Sequence, residues 1–149
     1  MDERQNPEWR LGEILIRNHW ITWEHLEQAI EDQRTTKRLI GAILVEKGFV
    51  SRKNLYRALA IQAKMTFVDF EKILIPAEIV RLIPKEFAYQ FQVMPLIHSD
   101  GVLLVAVGDP LHAWVVSEIR KWVPQSQIRA VLACPEDVEA ALRRYYGPE

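Results

Sequence analysis

Thiol chemistry is almost absent from this 149-residue chain: it has one cysteine, Cys134. That excludes an internal disulfide and any multi-cysteine metal site, and it fits a reducing compartment. Glycine is sparse at six, and none of the six precedes a lysine, so there is no GxxxxGK[ST] phosphate loop. The four histidines, His19, His25, His98 and His112, are scattered without HExxH or comparable metal-ligand spacing. No apolar run approaches the ~18–20 residues of a membrane span. The longest, Val102–Val107, has the length of a strand. The acidic opening MDERQNPEWR has neither the basic nor the apolar part of a signal peptide. A chain that is 49% apolar and 26% charged has the composition of an ordinary folded domain. These absences lead to the expectation of a cytoplasmic protein with no membrane insertion, no metal, no cofactor and no catalytic constellation.

The formal net charge is only −1, but it is unevenly spread. Residues 1–33 carry three basic against eight acidic side chains, a net of −5. Residues 34–57 carry seven basic against one acidic, a net of +6. Such a basic segment suits either a phosphate-bearing ligand or a solvated helix face.

An internal repeat gives this asymmetry a frame. Arg10–Gln33 aligns without a gap on Leu39–Gln62, at an offset of 29 residues. Six positions are identical: Gly12/Gly41, Ile14/Ile43, Leu15/Leu44, Leu26/Leu55, Ala29/Ala58 and Gln33/Gln62. Six more are close in chemistry, among them Leu11/Ile40, Trp20/Phe49 and Ile30/Leu59. Each unit predicts two short helices. A break at His19 or Gly48 suits a left-handed cap, and Thr22 or Ser51 is a good N-cap for the second helix. The spacer Arg34–Arg38, without an apolar residue, predicts a loop.

Beyond Ala63 the pattern changes to short helices over Pro76–Ile83 and Lys85–Phe91, then two strands, Val93–His98 and Val102–Val107, joined by Ser99-Asp100-Gly101. A helix over Leu111–Val123, a strand over Ile128–Cys134 and a last helix from Pro135 to Gly147-Pro148 complete the expectation. The fold class is α+β. A four-helix tandem-repeat subdomain at 1–62 precedes a small α/β subdomain with about three strands at 63–149.

The repeat offers two copies of one surface. Gly12 and Gly41, placed at helix starts, would leave backbone N–H groups open to an anion. Arg10 carries a planar guanidinium that suits guanine O6 and N7. Gln33 and Gln62 hold amides at matching places, and Leu11, Leu26, Ile30, Ile40, Leu55 and Leu59 offer apolar packing for flat bases. The same leucines also fit a plain helix core, and the residues alone favour that reading.

The tandem RLGxxLxxx(G)xxxxxxLxxxLxxQ pattern with its five-residue spacer resembles the MshE-type N-terminal domain, the MshEN family. Met94-Pro95-Leu96, Asp100-Gly101, Gly108-Asp109-Pro110 and Tyr145-Tyr146-Gly147 extend the likeness over nearly all of Arg10–Gly147. The resemblance implies a bacterial regulatory module that begins type II secretion or type IV pilus assembly ATPases and binds cyclic di-GMP. One half of the ligand would lie on each repeat. It implies contacts from Arg10, Leu11, Gly12, Leu26, Ile30 and Gln33 in the first repeat, and from Ile40, Gly41, Leu55, Leu59 and Gln62 in the second. Arg38 or Lys37 would meet the phosphates. The expected partners are such an ATPase or an inner-membrane assembly protein. His19 departs from a family glycine and predicts a distorted or shifted first turn. Leu39 stands in place of a basic residue and Ala42 in place of a polar one.

Two other classes of function compete. A nucleotide-independent docking domain would use Trp9, Trp23 or Trp114 as partner anchors. DNA binding through Arg52, Lys53 and Arg57 is disfavoured, because the first repeat has Trp23, Glu24 and Gln28 at the matching positions.

Overall fold

The computed structural model describes residues 7–149, so the acidic opening at residues 1–6 lies outside the described residues. Contacts divide the chain between Lys64 and Met65, and each part has a core of its own.

The first part holds four helices: α1 (Pro7–Arg17), α2 (Trp23–Thr36), α3 (Ile40–Glu46) and α4 (Arg52–Ala63). The 29-residue repeat reappears as repeated geometry. His19 and Gly48 both take the left-handed conformation, at φ 59° and 77°. The next residue then donates its N–H back into the preceding helix, Trp20 to the Leu15 carbonyl and Phe49 to the Leu44 carbonyl, each at 2.9 Å. His19 therefore corrects an expectation: the first turn is not distorted, because histidine adopts here the backbone that glycine adopts in the second. Thr22 caps α2 by accepting from the His25 N–H, while His25 Nδ1 accepts from the Thr22 N–H. Ser51 caps α4 through the Asn54 N–H.

The packing exchanges partners between repeats: α1 lies chiefly on α4, and α2 on α3. Leu11, Leu15, Leu26, Ile40, Leu44 and Leu55 are all buried there. Burial stabilises by about 1.5–3 kcal/mol for each such side chain. Two further expectations are corrected. The spacer is not a loop throughout, since α2 runs on to Thr36 and only Lys37–Leu39 are irregular. Gly12 is not at a helix start but is the sixth residue of α1, because Pro7 and Glu8 already begin that helix.

The second part is a mixed sheet flanked by helices. After a 3-10 turn at Phe70–Lys72 come α5 (Ala77–Val80) and α6 (Lys85–Phe91), then β1 (Val93–Ser99) and β2 (Val102–Val107). A 3-10 turn at Pro110–Val115 leads into α7 (Val116–Ile119), then β3 (Gln127–Leu132) and α8 (Pro135–Tyr146). The sheet order is β1-β2-β3, antiparallel then parallel. Asp100 and Gly101, at φ 53° and 76°, make the two-residue turn that follows the strand twist. The β1–β2 register slips between Pro95 and Ile97, beside the proline that lacks an N–H to donate. Thr66–Val68 adds an extended segment along β3 that the sequence reading missed. The Leu132 N–H donates to the Thr66 carbonyl and the Val68 N–H to the Leu132 carbonyl, both at 2.8 Å.

Two predicted boundaries shift. The helix expected over Leu111–Val123 begins as the 3-10 turn, since Asp109 accepts from the Leu111 N–H and its carbonyl accepts from His112. β3 stops at Leu132, and Cys134 caps α8 with 3% of its surface exposed. The closing tyrosines hold α8 against the chain before the sheet. The Tyr146 hydroxyl lies 2.8 Å from both the Val80 and Ile83 carbonyls, and the Tyr145 hydroxyl accepts from the Ile75 N–H.

Candidate functional site

The pairing of α1 with α4 leaves a cavity of about 630 Å³ beside α3. Leu11, Gly41 and Leu55 form its buried lining, and Leu59 is half-buried. Gly41 lets α3 come this near α4: a β-carbon there would sit 3.0 Å from one Leu55 methyl and 3.2 Å from the other. Arg38, Ala42, Glu46 and Arg52 line the exposed side. The Arg38 guanidinium donates to the Glu46 carboxylate. At the end of α4, Gln62 Nε2 donates to the Pro7 carbonyl at 2.6 Å, tying α4 to the start of α1.

A smaller cavity, about 370 Å³, occupies the related place in the first repeat. Its Ile30, Gln33 and Ile40 are the 29-residue counterparts of Leu59, Gln62 and Leu11. Gln33 Nε2 donates to the Arg38 carbonyl at 3.1 Å and also to the Glu8 carboxylate. Glu8 lines both cavities, and its carboxylate accepts from the Ile40 N–H at 3.3 Å. An acid of α1 thus meets the first N–H of α3, where unpaired donors favour negative charge. Glu27 and Glu31 add further acid to this cavity, against Arg34.

The predicted residues fall into three groups. Leu11, Arg38, Gly41, Leu55, Leu59 and Gln62 come together in the larger cavity. Ile30, Gln33 and Ile40 meet in the smaller one. Arg10, Gly12, Leu26 and Lys37 line neither. Leu26 is 1% exposed and is core: it fills the space over Gly12, where a β-carbon would sit 2.8 Å from its Cδ1. Arg10 and Lys37 are exposed, Lys37 as the left-handed cap of α2. Glu8 and Tyr56 also line the cavities without having been singled out, while Ala42 was noted only as a departure from the family pattern and Arg52 only for DNA binding. Arg52 and Tyr56 had a signal, since with Leu55 and Leu59 they recur at helical spacing on one face of α4. Among the described residues no group of three or more His, Cys, Asp or Glu side chains is placed to hold a metal ion, and no helix is long and apolar enough to cross a membrane.

Residues 63–149 match the MshEN domain family. The chain belongs to the MshEN family. This MshEN chain is also similar to the structure of MshE with cdg (cyclic di-GMP), at 26% identity and a TM-score of 0.70. That match covers 92% of this chain and 99% of the MshE chain, so it reaches well into the cavity-bearing helices that precede residue 63. Two type IV pilus assembly ATPases named PilB are similar as well. The Thermus thermophilus protein is 33% identical over 138 residues, 92% of this chain and 15% of PilB. The Myxococcus xanthus protein is 30% identical over 138 residues, 93% of this chain and 24% of PilB. The MshEN chain spans no more than a quarter of either of these relatives.

Proposed function

We propose that this MshEN chain binds cyclic di-GMP in its helical part and passes the binding event to an ATPase of a type IV pilus or type II secretion machine. The observation that carries this reading is the larger cavity. It is an apolar recess with a glycine-opened wall and two arginines, on a fold shared with MshE solved with cdg. Leu11, Leu55 and Leu59 offer the packing a purine ring needs, and Arg38 and Arg52 offer cations to a phosphate. Ligand that fits only one arrangement of the four helices would shift their population toward that arrangement, which is the form regulation takes without chemistry. No bond-making step is assigned to the chain.

Calorimetric titration with cyclic di-GMP tests the reading, with GTP and cyclic di-AMP as controls. Saturable, selective heat is expected from the wild-type chain. Ala42→Trp puts an indole into the cavity from an exposed position, so it should weaken binding by at least ~10-fold without lowering the melting temperature, a loss of about 1.4 kcal/mol. Arg10→Ala lies outside both cavities, and its binding should stay near wild type. Silence from the wild type at high ligand concentration would sink the reading.

Protein docking is the second reading, favoured by the aromatic surface of the second part. Trp114 is 54% exposed and meets Phe91 edge-on, with ring centroids 5.7 Å apart, and Trp122 meets Phe87 at 6.3 Å. Under this reading Trp114→Ser would abolish machine assembly in the host cell, whereas Ala42→Trp would leave it intact.

A further inference from the structure

The repeat makes the two cavities comparable position by position, and the comparison breaks at the places a charged ligand would meet. Arg38, Ala42, Arg52 and Tyr56 line the larger cavity. Their 29-residue counterparts are Trp9, Glu13, Trp23 and Glu27. Over the two linings as a whole, Arg38 and Arg52 stand with Glu8 and Glu46 in the larger cavity, and Arg34 stands with Glu8, Glu27 and Glu31 in the smaller, so formal charge changes from 0 to −2.

The difference extends to side-chain packing. The Trp9 and Trp23 rings lie 6.2 Å apart, and Trp9 Nε1 donates to the Glu13 carboxylate at 2.8 Å. Gly41 lines its cavity, but Gly12 lines none. Glu8 borders both cavities, so the difference lies in the rest: a phosphate beside Glu27 and Glu31 meets like charge at short range, whereas beside Arg52 it meets a donor that suits its oxygens.

We infer that the repeats are unequal half-sites. The second-repeat cavity takes one purine-nucleotide half of a phosphate-bearing ligand, and the acidic lining of the smaller cavity, with the Trp9–Glu13–Trp23 cluster beside it, disfavours the other half on the first-repeat face. The inference deepens the proposed function and rests on it. A ligand with twofold symmetry is then gripped on one side only.

Charge-swap variants and amide chemical shifts test this with cyclic di-GMP as the probe. Arg52 and Glu27 are both exposed, one on α4 and one on α2. Arg52→Glu should weaken binding by at least ~10-fold, while Glu27→Lys should leave it within ~3-fold, where tenfold corresponds to about 1.4 kcal/mol. Ligand should shift the amides of Gly41, Ala42 and Leu59 and leave those of Gly12, Glu13 and Ile30 in place. The shifts of the wild-type chain decide the matter even if a variant fails to fold. Equal shifts at Gly12 and Gly41, or equal losses in the two variants, would overturn the inference and leave cyclic di-GMP binding standing. A wild-type chain without any binding would overturn both.

Discussion

Gly12 and Gly41 occupy the same place in two repeats, yet the same substitution has different consequences at each. A β-carbon on Gly12 meets the methyls of Leu26 at 2.8 and 2.9 Å, and Leu26 is packed in the core with nowhere to turn. A β-carbon on Gly41 meets Leu55 at 3.0 and 3.2 Å, but Leu55 borders a cavity and can rotate into it. Gly12→Ala should therefore cost about 1–3 kcal/mol in urea unfolding, the range for overpacking a filled core. Gly41→Ala should stay within about 1 kcal/mol, helped by alanine's preference for helix, which roughly matches that size. Equal losses at the two positions would show that the cavity gives Leu55 no freedom. His19 carries a different kind of strain, a left-handed backbone on a residue with a side chain. His19→Gly removes it and should raise stability by about 0.5–1 kcal/mol in the same assay.

At the scale of elements, the boundaries that were legible in the sequence are those fixed by local chemistry. Asp100-Gly101 announced the hairpin because only residues tolerant of positive φ make that turn. Thr22 and Ser51 announced α2 and α4 because their hydroxyls accept from the N–H three residues on. The start of α1 was misjudged, although Pro7 followed by Glu8 is a usual way for a helix to begin. The helix after Asp109 was given the right place and the wrong pitch, since apolar spacing alone does not separate a 3-10 turn from an α-helix. The segment at Thr66–Val68 had no signal, because its pairing with β3 joins residues more than sixty apart. One element makes a pH prediction. Burial at the end of α8 raises the Tyr146 hydroxyl above the ordinary tyrosine value of 10.0, so the folded chain favours its neutral form. That contribution is complete below pH 10 and is lost progressively as pH rises above it. Urea midpoints measured from pH 8 to 11 should fall more steeply above pH 10 for the wild type than for Tyr146→Phe. At pH 7 the variant should lose about 1–2 kcal/mol, the cost of leaving the Val80 and Ile83 carbonyls without their donor.

For the whole molecule, the four-helix part showed in the sequence as self-similarity, and the α+β part as a change of period. The exchange of partners, α1 on α4 and α2 on α3, did not show, because tertiary packing and not local preference decides which helix covers which. The site was legible to the same degree. Leu11, Leu55, Leu59 and Gln62, picked out by the pattern, line the larger cavity, while Leu26, which the family resemblance implied as a contact, lies in the core. Among the described residues, the core of the second part draws only on those from Met65 onward, and the family match also begins near there, at residue 63. Residues 65–149 expressed alone should thus unfold in one cooperative transition, seen as coincident far- and near-ultraviolet circular dichroism. Non-coincident curves would show that this half needs the helices before it. Cys134 adds a practical consequence. Being the one thiol in the chain and shielded at the foot of α8, it is a built-in clock. A colorimetric disulfide reagent can reach it only when that end of the molecule opens. The rate of colour development, with and without nucleotide, would then report how often the second half breathes and whether occupancy of the first half changes that tempo.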